Sequence, residues 1–279
     1  MAAIDLHVLG IGLVGPGLAS WPQAQAALRG ESPYLPAPCA LPALLRLPPA
    51  ERRRAGASVK VAMAAAEEAC AEADVDPQKL ATIFTASGGD GANCHALCDA
   101  LGAPASADRL VSPTRFTNSV HNAPAGYWHI AVGSREASTS LCAHDEGFAA
   151  GLVAALAQLQ GTDAPLLLVA SDTPYPQPLQ AARPLPDMMG VALLLQRGAQ
   201  PDRRARATLR LDLLPGAARR EETPCRDVGL EALRRSIPCA RALPLLEAIA
   251  RRRAARLVLA LQPPLGLQVD VVVPDGGGR

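Results

Sequence analysis

The sequence predicts an α/β fold. A mixed five-stranded sheet in the order βαβαβαββ, with helices on both faces, is expected over residues 1–196. A reduced C-terminal α/β lobe follows at 197–273, then a flexible tail at 274–279. Three observations carry this. Short apolar runs alternate with Ala-rich stretches of helical spacing, which argues for a parallel-rich sheet covered by helices. The 279 residues are 49% apolar with mean hydropathy +0.12, enough for a sizeable core and too apolar for a disordered chain. Gly and Pro punctuate the joints between runs.

Taken in order, residues 4–14 read as a strand whose glycines mark close backbone approach. Residues 21–28 suggest a short helix, and 31–50 a Pro-rich loop. Residues 57–74 form a strong helix, with Val61, Met63, Ala65 and Cys70 on helical spacing and Pro77 just past its end. A strand at 80–86 runs into the turn Ser87-Gly88-Gly89-Asp90-Gly91 and a helix through Leu101. Residues 126–132 read as helix, 137–141 as a short strand, 145–160 as a long apolar helix and 165–170 as a buried strand. The five prolines of 173–187 make an irregular excursion before a strand at 188–196. The C-terminal lobe supplies a strand at 206–214, helices near 226–235 and 243–253, and strands at 256–262 and 266–273.

Composition excludes several classes. No run of about 18 apolar residues exists, so no membrane span is expected. The first 19 residues lack a basic leader and read as a strand, so the expected localisation is cytoplasmic. Seven scattered cysteines are not a disulfide framework. Net charge is +1 but unevenly placed: residues 1–200 carry −5 and residues 201–279 carry +6. The arginines of that basic lobe read as solvated faces or as a docking surface for an acidic partner. With no aromatic interleaving and no binding motif, nucleic acid is not an expected partner.

Cys94-His95-x-x-Cys98 has no second ligand pair, so no metal site is expected and the cysteines read as small buried hydrophobes. Gly10-x-Gly12-x-x-Gly15 matches the dinucleotide pattern by letter. It lacks the helix that must start there, and Pro16-Gly17 follows, so it reads as a glycine-rich strand end. The most informative stretch is Ser140-Leu141-Cys142-Ala143-His144-Asp145-Glu146-Gly147-Phe148, which joins a short strand to a long helix. A thiol at such an elbow faces a helix N-terminus, which favours thiolate and oxyanion binding. Asp145 and Glu146 in the first turn push the other way. A small residue tolerated at a tight turn fits the same letters.

Ser112-Pro113-x-x-Phe116-x-x-Ser119-x-x-Asn122-x-Pro124-Ala125-Gly126, then Gly133, Ser138 to Cys142, and Phe148-Ala-Ala-Gly151-Leu152 make the chain resemble the thiolase-fold β-ketoacyl synthases. The resemblance is to their short, N-terminal-half-like relatives, over residues 1–196. It implies a thiolase-like half, with Cys142 at the position of the family nucleophile. Ser140, Leu141, His144 and Phe148 would line the elbow cavity. Asn122, Gly126, Tyr127, Trp128, Ser138 and Thr139 would lie at a two-fold-like interface.

The resemblance is incomplete in an informative way. A working synthase of this family uses two histidines from a second half, yet all five histidines here (7, 95, 121, 129, 144) precede residue 145. The pattern is similar to chain-length-factor-type subunits of aryl polyene and xanthomonadin-like pigment pathways. It implies a complete β-ketoacyl synthase and an acyl carrier protein as partners, and no cofactor. The alternatives are a stand-alone Cys142-dependent acyltransferase with His121, His129 or His144 as base, and a structural interaction module.

Overall fold

The computed structural model describes residues 5–104, 110–198, 204–215 and 221–274. In chain order the elements are β1 (Asp5–Val14), α1 (Trp21–Arg29), α2 (Pro49–Arg54), α3 (Ala57–Ala73), β2 (Ala81–Ala86), α4 (Gly91–Gly102), α5 (Pro113–Thr117) and α6 (Ala123–Val132). There follow β3 (Ser138–Cys142), α7 (Gly147–Gln158), β4 (Leu166–Asp172), α8 (Leu179–Ala182), β5 (Met189–Gly198), β6 (Ala207–Leu214), α9 (Val228–Ser236), α10 (Leu243–Ala250), β7 (Ala255–Ala260) and β8 (Gly266–Val272).

The strands form one mixed eight-stranded sheet in the order β3-β2-β4-β5-β1-β6-β8-β7. The five strands expected from residues 1–196 are its contiguous β3-to-β1 portion. The C-terminal strands extend that sheet through β6 on β1, so the expected boundary at 196/197 falls inside β5. The parallel-rich expectation needs correction. Only β2 with β3 and β2 with β4 run parallel, and the other pairs are antiparallel. The reason lies in the connections: parallel neighbours need a crossover, commonly a helix, and the 173–187 excursion returns the chain antiparallel with only the four-residue α8 within it. The Pro-rich loop closes on α2, where Pro at the first helical position is well accommodated. The tail beyond residue 274 lies outside the described residues.

Two core layers cover the sheet's faces, as the sequence predicts. One packs α3 and α6 on β1, β2, β4 and β5; the other packs α1, α7, α10 and the 3-10 turn Pro238–Ala242 on the opposite face. A bulge keeps β1 in phase with both. Val8 faces Leu195 and Gly10 faces Leu194, leaving Leu9 as an extra residue. The extra residue switches the alternation, so Leu6, Val8, Ile11 and Leu13 all enter one layer.

Gly10 and Gly12 have a packing reason. A Cβ on Gly12 would lie 1.9 Å from the Ala65 carbonyl oxygen, and one on Gly10 would lie 2.2 Å from that of Ala69. The glycines let the α3 backbone settle directly on β1. α3 also serves the strand's edge. β6 pairs β1 only over Asp5–Val8, and beyond that two glutamates of α3 take over. Glu72 accepts from the Ile11 amide at 2.5 Å, and Glu68 accepts from the Leu13 and Trp21 amides at 2.7 and 2.8 Å. Burial pushes both carboxyls up, and the amide hydrogen bonds partly offset it.

At the far edge, Thr223 covers β7: its amide donates to the Val258 carbonyl and its Oγ1 accepts from the Val258 amide, each at 2.9 Å. Below it Arg234 grips Glu231 in bidentate fashion (2.7 and 2.9 Å) and reaches Glu222 at 2.6 Å. These hydrogen bonds hold the Glu231 carboxyl down at about 2. A depressed folded-state pKa stabilises above the ordinary carboxylate value and loses that contribution as pH falls through the folded one. Glu231→Gln should therefore cost about 2 kcal/mol at pH 7. The gap from the parent should close between about pH 4.5 and 2. Urea melts of both proteins across that range check it; a pH-independent gap would refute it.

Candidate functional site

Cys142 ends the outermost strand. The Ala143 amide donates to Ala86 at 3.2 Å, His144 takes a left-handed φ of 50°, and a 3-10 turn (His144–Glu146) leads into α7. The strand-to-helix elbow expected from the sequence is therefore present, with its cysteine exposed. The expected drop in thiol pKa is not. Desolvation, then the nearby Asp172 carboxylate, push the Cys142 thiol up. Asp145, expected to oppose ionisation, is instead clasped by Arg183 and by Arg241, the latter at 3.1 Å.

The histidines are turned elsewhere. His129 Nε2 meets Thr82 Oγ1 at 3.2 Å, and His144 Nδ1 lies 3.7 Å from Asp145. Among the described residues none is hydrogen-bonded to Cys142.

Asp172 was not singled out in the sequence. At the end of β4 it is buried and accepts from the Ser87 amide at 2.7 Å and the Cys239 amide at 2.8 Å. Ser87 Oγ in turn meets the Tyr175 hydroxyl at 2.5 Å. Burial pushes the Asp172 carboxyl up against these hydrogen bonds. Its partners come from positions 85 and 67 residues away, so no local pattern announces it.

Beside β3 lies an open cavity of about 630 Å³. Its walls include His121, Asn122, Gly126, His129, Ser138 and Ser140. Asn122, Gly126, Ser138 and Ser140 are thus together on one face, while Thr139 turns to the other and accepts from Gln158 at 2.9 Å. Three expectations need correction. Tyr127 and Trp128 are not surface anchors: helical spacing puts Asn122, Gly126 and Ile130 outward and these two rings into the core, with the Tyr127 hydroxyl donating to Asn118. Phe148, expected at the elbow cavity, is a core residue under α7, and Leu141 packs on the same layer. Cys94 and Cys98 are exposed on α4 rather than buried, and Cys94 lines the cavity.

α4 is unusual for an apolar helix. Its one buried residue is Asn93. Leu101 on α4, Phe116 on α5, Val120, and Ile130 on α6 are each at least half exposed. Val120 shares the cavity with Ser138 and Ser140 of β3, and among the described residues no strand pairs with the outer side of β3. The hydrogen bonds Thr82 amide to Ala137 and Ala143 amide to Ala86 fix the parity of the strand. In a parallel ladder, alternate residues bond to one side. Ala137, Thr139, Leu141 and Ala143 therefore face β2, and the backbone groups of Ser138, Ser140 and Cys142 point outward.

The family description "Beta-ketoacyl synthase, N-terminal domain" matches residues 20–243, and the chain belongs to that family. Solved structures agree on the fold. A ketosynthase (ApeO) in complex with its chain length factor (ApeC) from Xenorhabdus doucetiae is similar at TM-score 0.69 and 19% identity, covering 98% of this chain and 100% of that one. A β-ketoacyl synthase from Burkholderia phymatum STM815 gives 0.68 and 12%, covering 98% and 100%. The ishigamide ketosynthase/chain length factor gives 0.66 and 12%, covering 97% and 100%. No curated protein sequence matches the chain. Among the described residues no helix is long and apolar enough to cross a membrane.

Proposed function

We propose that this chain is a chain-length-factor-type subunit. It pairs through β3 with a complete β-ketoacyl synthase and shapes the cavity in which a carrier-bound acyl or polyene chain grows, in a polyketide or fatty-acid-like pigment pathway. The observation that carries the reading is the β3 edge, unpaired among the described residues, together with the exposed apolar side chains of Leu101, Phe116, Val120 and Ile130 on and between α4, α5 and α6. An open edge invites pairing with another chain, and at the opposite edge of the same sheet Thr223 caps Val258. The comparison structures that describe a ketosynthase with its chain length factor support the choice of partner. So does the lack of any histidine after residue 144, which leaves the chain without the base that decarboxylation needs. Co-expression with a complete synthase from the same gene neighbourhood should give a one-to-one complex. An unaltered monomer on a sizing column would count against it.

The exposed Cys142 thiol favours a second reading, a stand-alone acyltransferase. The upward shift of that thiol and the absence of a histidine partner speak for the first. Cys142→Ala in the reconstituted complex should leave turnover within about twofold, because catalysis then lies in the partner. A loss of about 100-fold with the complex intact, the size expected for a catalytic group, would return Cys142 to the role of nucleophile.

A further inference from the structure

The cavity beside β3 continues inward. Gly89, Val120 and His121 wall it on one side and, on the other, a small chamber of about 30 Å³. The chamber lies at the ends of β2 and β4, with Ala86, Asp172 and Tyr175 among its further walls. Gly89 and His121 face each other where the two spaces meet. A Cβ on Gly89 would lie 3.7 Å from the Cα and Cβ of His121, an ordinary contact distance, so the missing side chain leaves a neck there.

Tyr175 closes the far side of the chamber and is held at its tip, its face and its backbone. Its hydroxyl meets Ser87 Oγ at 2.5 Å. The Arg183 guanidinium stacks on its ring, 5.3 Å from the centre, and its amide donates to Gln180 at 3.2 Å. The ring lies along the turn from Ser87 to Gly91 because two glycines leave room for it. A Cβ on Gly91 would lie 3.3 Å from the ring, and one on Gly88 would lie 3.9 Å from the hydroxyl. Beneath it Asp172 is occupied by the Ser87 and Cys239 amides. The chamber has about the liquid volume of one water, room for roughly one carbon atom. A hydrocarbon tail pushed further would part the Ser87–Tyr175 hydrogen bond and bury both hydroxyls without partners, which is unfavourable. Sterics and polarity therefore stop it at the same place.

We propose that Tyr175 is the end wall of this cavity and sets the length of acyl chain that it takes, with Gly89 as the neck the tail passes to reach that wall. The proposal rests on the function proposed above.

In a complex reconstituted with a complete synthase and a carrier protein, mass spectrometry of the products reads the length. Tyr175→Ala should lengthen the main product by at least one extension unit, because a large-to-small change leaves space that its surroundings refill only in part. Tyr175→Phe keeps the ring and should keep the parent length. Gly89→Val narrows the neck: alone it should shorten the product, and added to Tyr175→Ala it should cancel the gain. Parent length from Tyr175→Ala in an assembled, active complex overturns the proposal. So does equal lengthening by Tyr175→Phe, or a double variant that makes the same product as Tyr175→Ala.

A complex that fails to form or to turn over tells against the function instead, and the isolated chain then decides the wall. Calorimetry with saturated acyl thioesters of N-acetylcysteamine of increasing length should show affinity rising roughly fourfold per methylene and then levelling. The levelling length should be greater for Tyr175→Ala than for the parent and Tyr175→Phe, and smaller for Gly89→Val. One levelling length for all four proteins, or no binding to the parent at any length, overturns the proposal.

Discussion

If the proposed pairing holds, Ser140→Pro should weaken the complex with a ketosynthase by roughly 100-fold while leaving the isolated chain folded. The backbone parity of β3 makes the two effects separable. The Ser140 amide points away from β2, so proline removes no hydrogen bond of the existing sheet, and an edge strand is where proline is tolerated. On the outer side it deletes a donor at the centre of the five-residue strand and places its ring against the incoming partner. One buried acceptor left unpaired costs about 1–3 kcal/mol, and the steric clash adds to it, so the complex should weaken by roughly 100-fold. Thr139→Pro is the informative contrast. Its amide belongs to the β2 ladder, so that change should damage the chain itself. Sizing chromatography and thermal melts of both variants decide the matter. A Ser140→Pro chain that pairs normally would remove β3 from the interface.

Gly12→Ala should have the largest effect on stability. The added methyl group would sit 1.9 Å from the Ala65 carbonyl oxygen and 2.8 Å from its carbon, both backbone atoms of α3. Rotamer changes do not relieve such a contact, so helix and strand must separate. The shift also pulls Glu68 and Glu72 from the Ile11 and Leu13 amides. The expected cost is about 3 kcal/mol or more, a fall in melting midpoint of roughly 10 °C. Gly102→Ala is the control, because a Cβ there meets nothing within 4 Å. Equal melting of Gly12→Ala and the parent would show that α3 is free to lift.

The strands and helices were legible because their signals are local. The Leu-rich run at 166–172 is fully buried, and the Ala-rich stretch at 57–73 forms one uninterrupted helix. The elbow at Cys142 was legible for the same reason, as a strand ending in a helix start. What escaped was set by distant pairings. The bulge at Leu9 follows from how β1 meets β5, and nothing in residues 5–14 alone requires it. Tyr127 and Trp128 were misplaced because aromatic residues serve cores and interfaces equally well; the helix phase decides, and it was read three residues short at its start. Asp145 seemed an unscreened charge beside the thiol, since its two arginines lie 38 and 96 residues further along the chain. Asp172 left no local trace at all.

The unequal treatment of the sheet's two edges bears on supply as well as on assembly. On the β7 side Thr223 caps Val258, whereas on the proposed function the β3 side would be completed by another polypeptide. Copies made in excess of their partner carry an adhesive strand and bare leucine, phenylalanine and isoleucine side chains into a crowded cell, where chaperones and proteases act on such surfaces. Production matched to that of the partner, as translation from a shared message would give, follows as the economical arrangement. Overproduction of this chain alone would then fill inclusion bodies at concentrations where the balanced pair stays in solution.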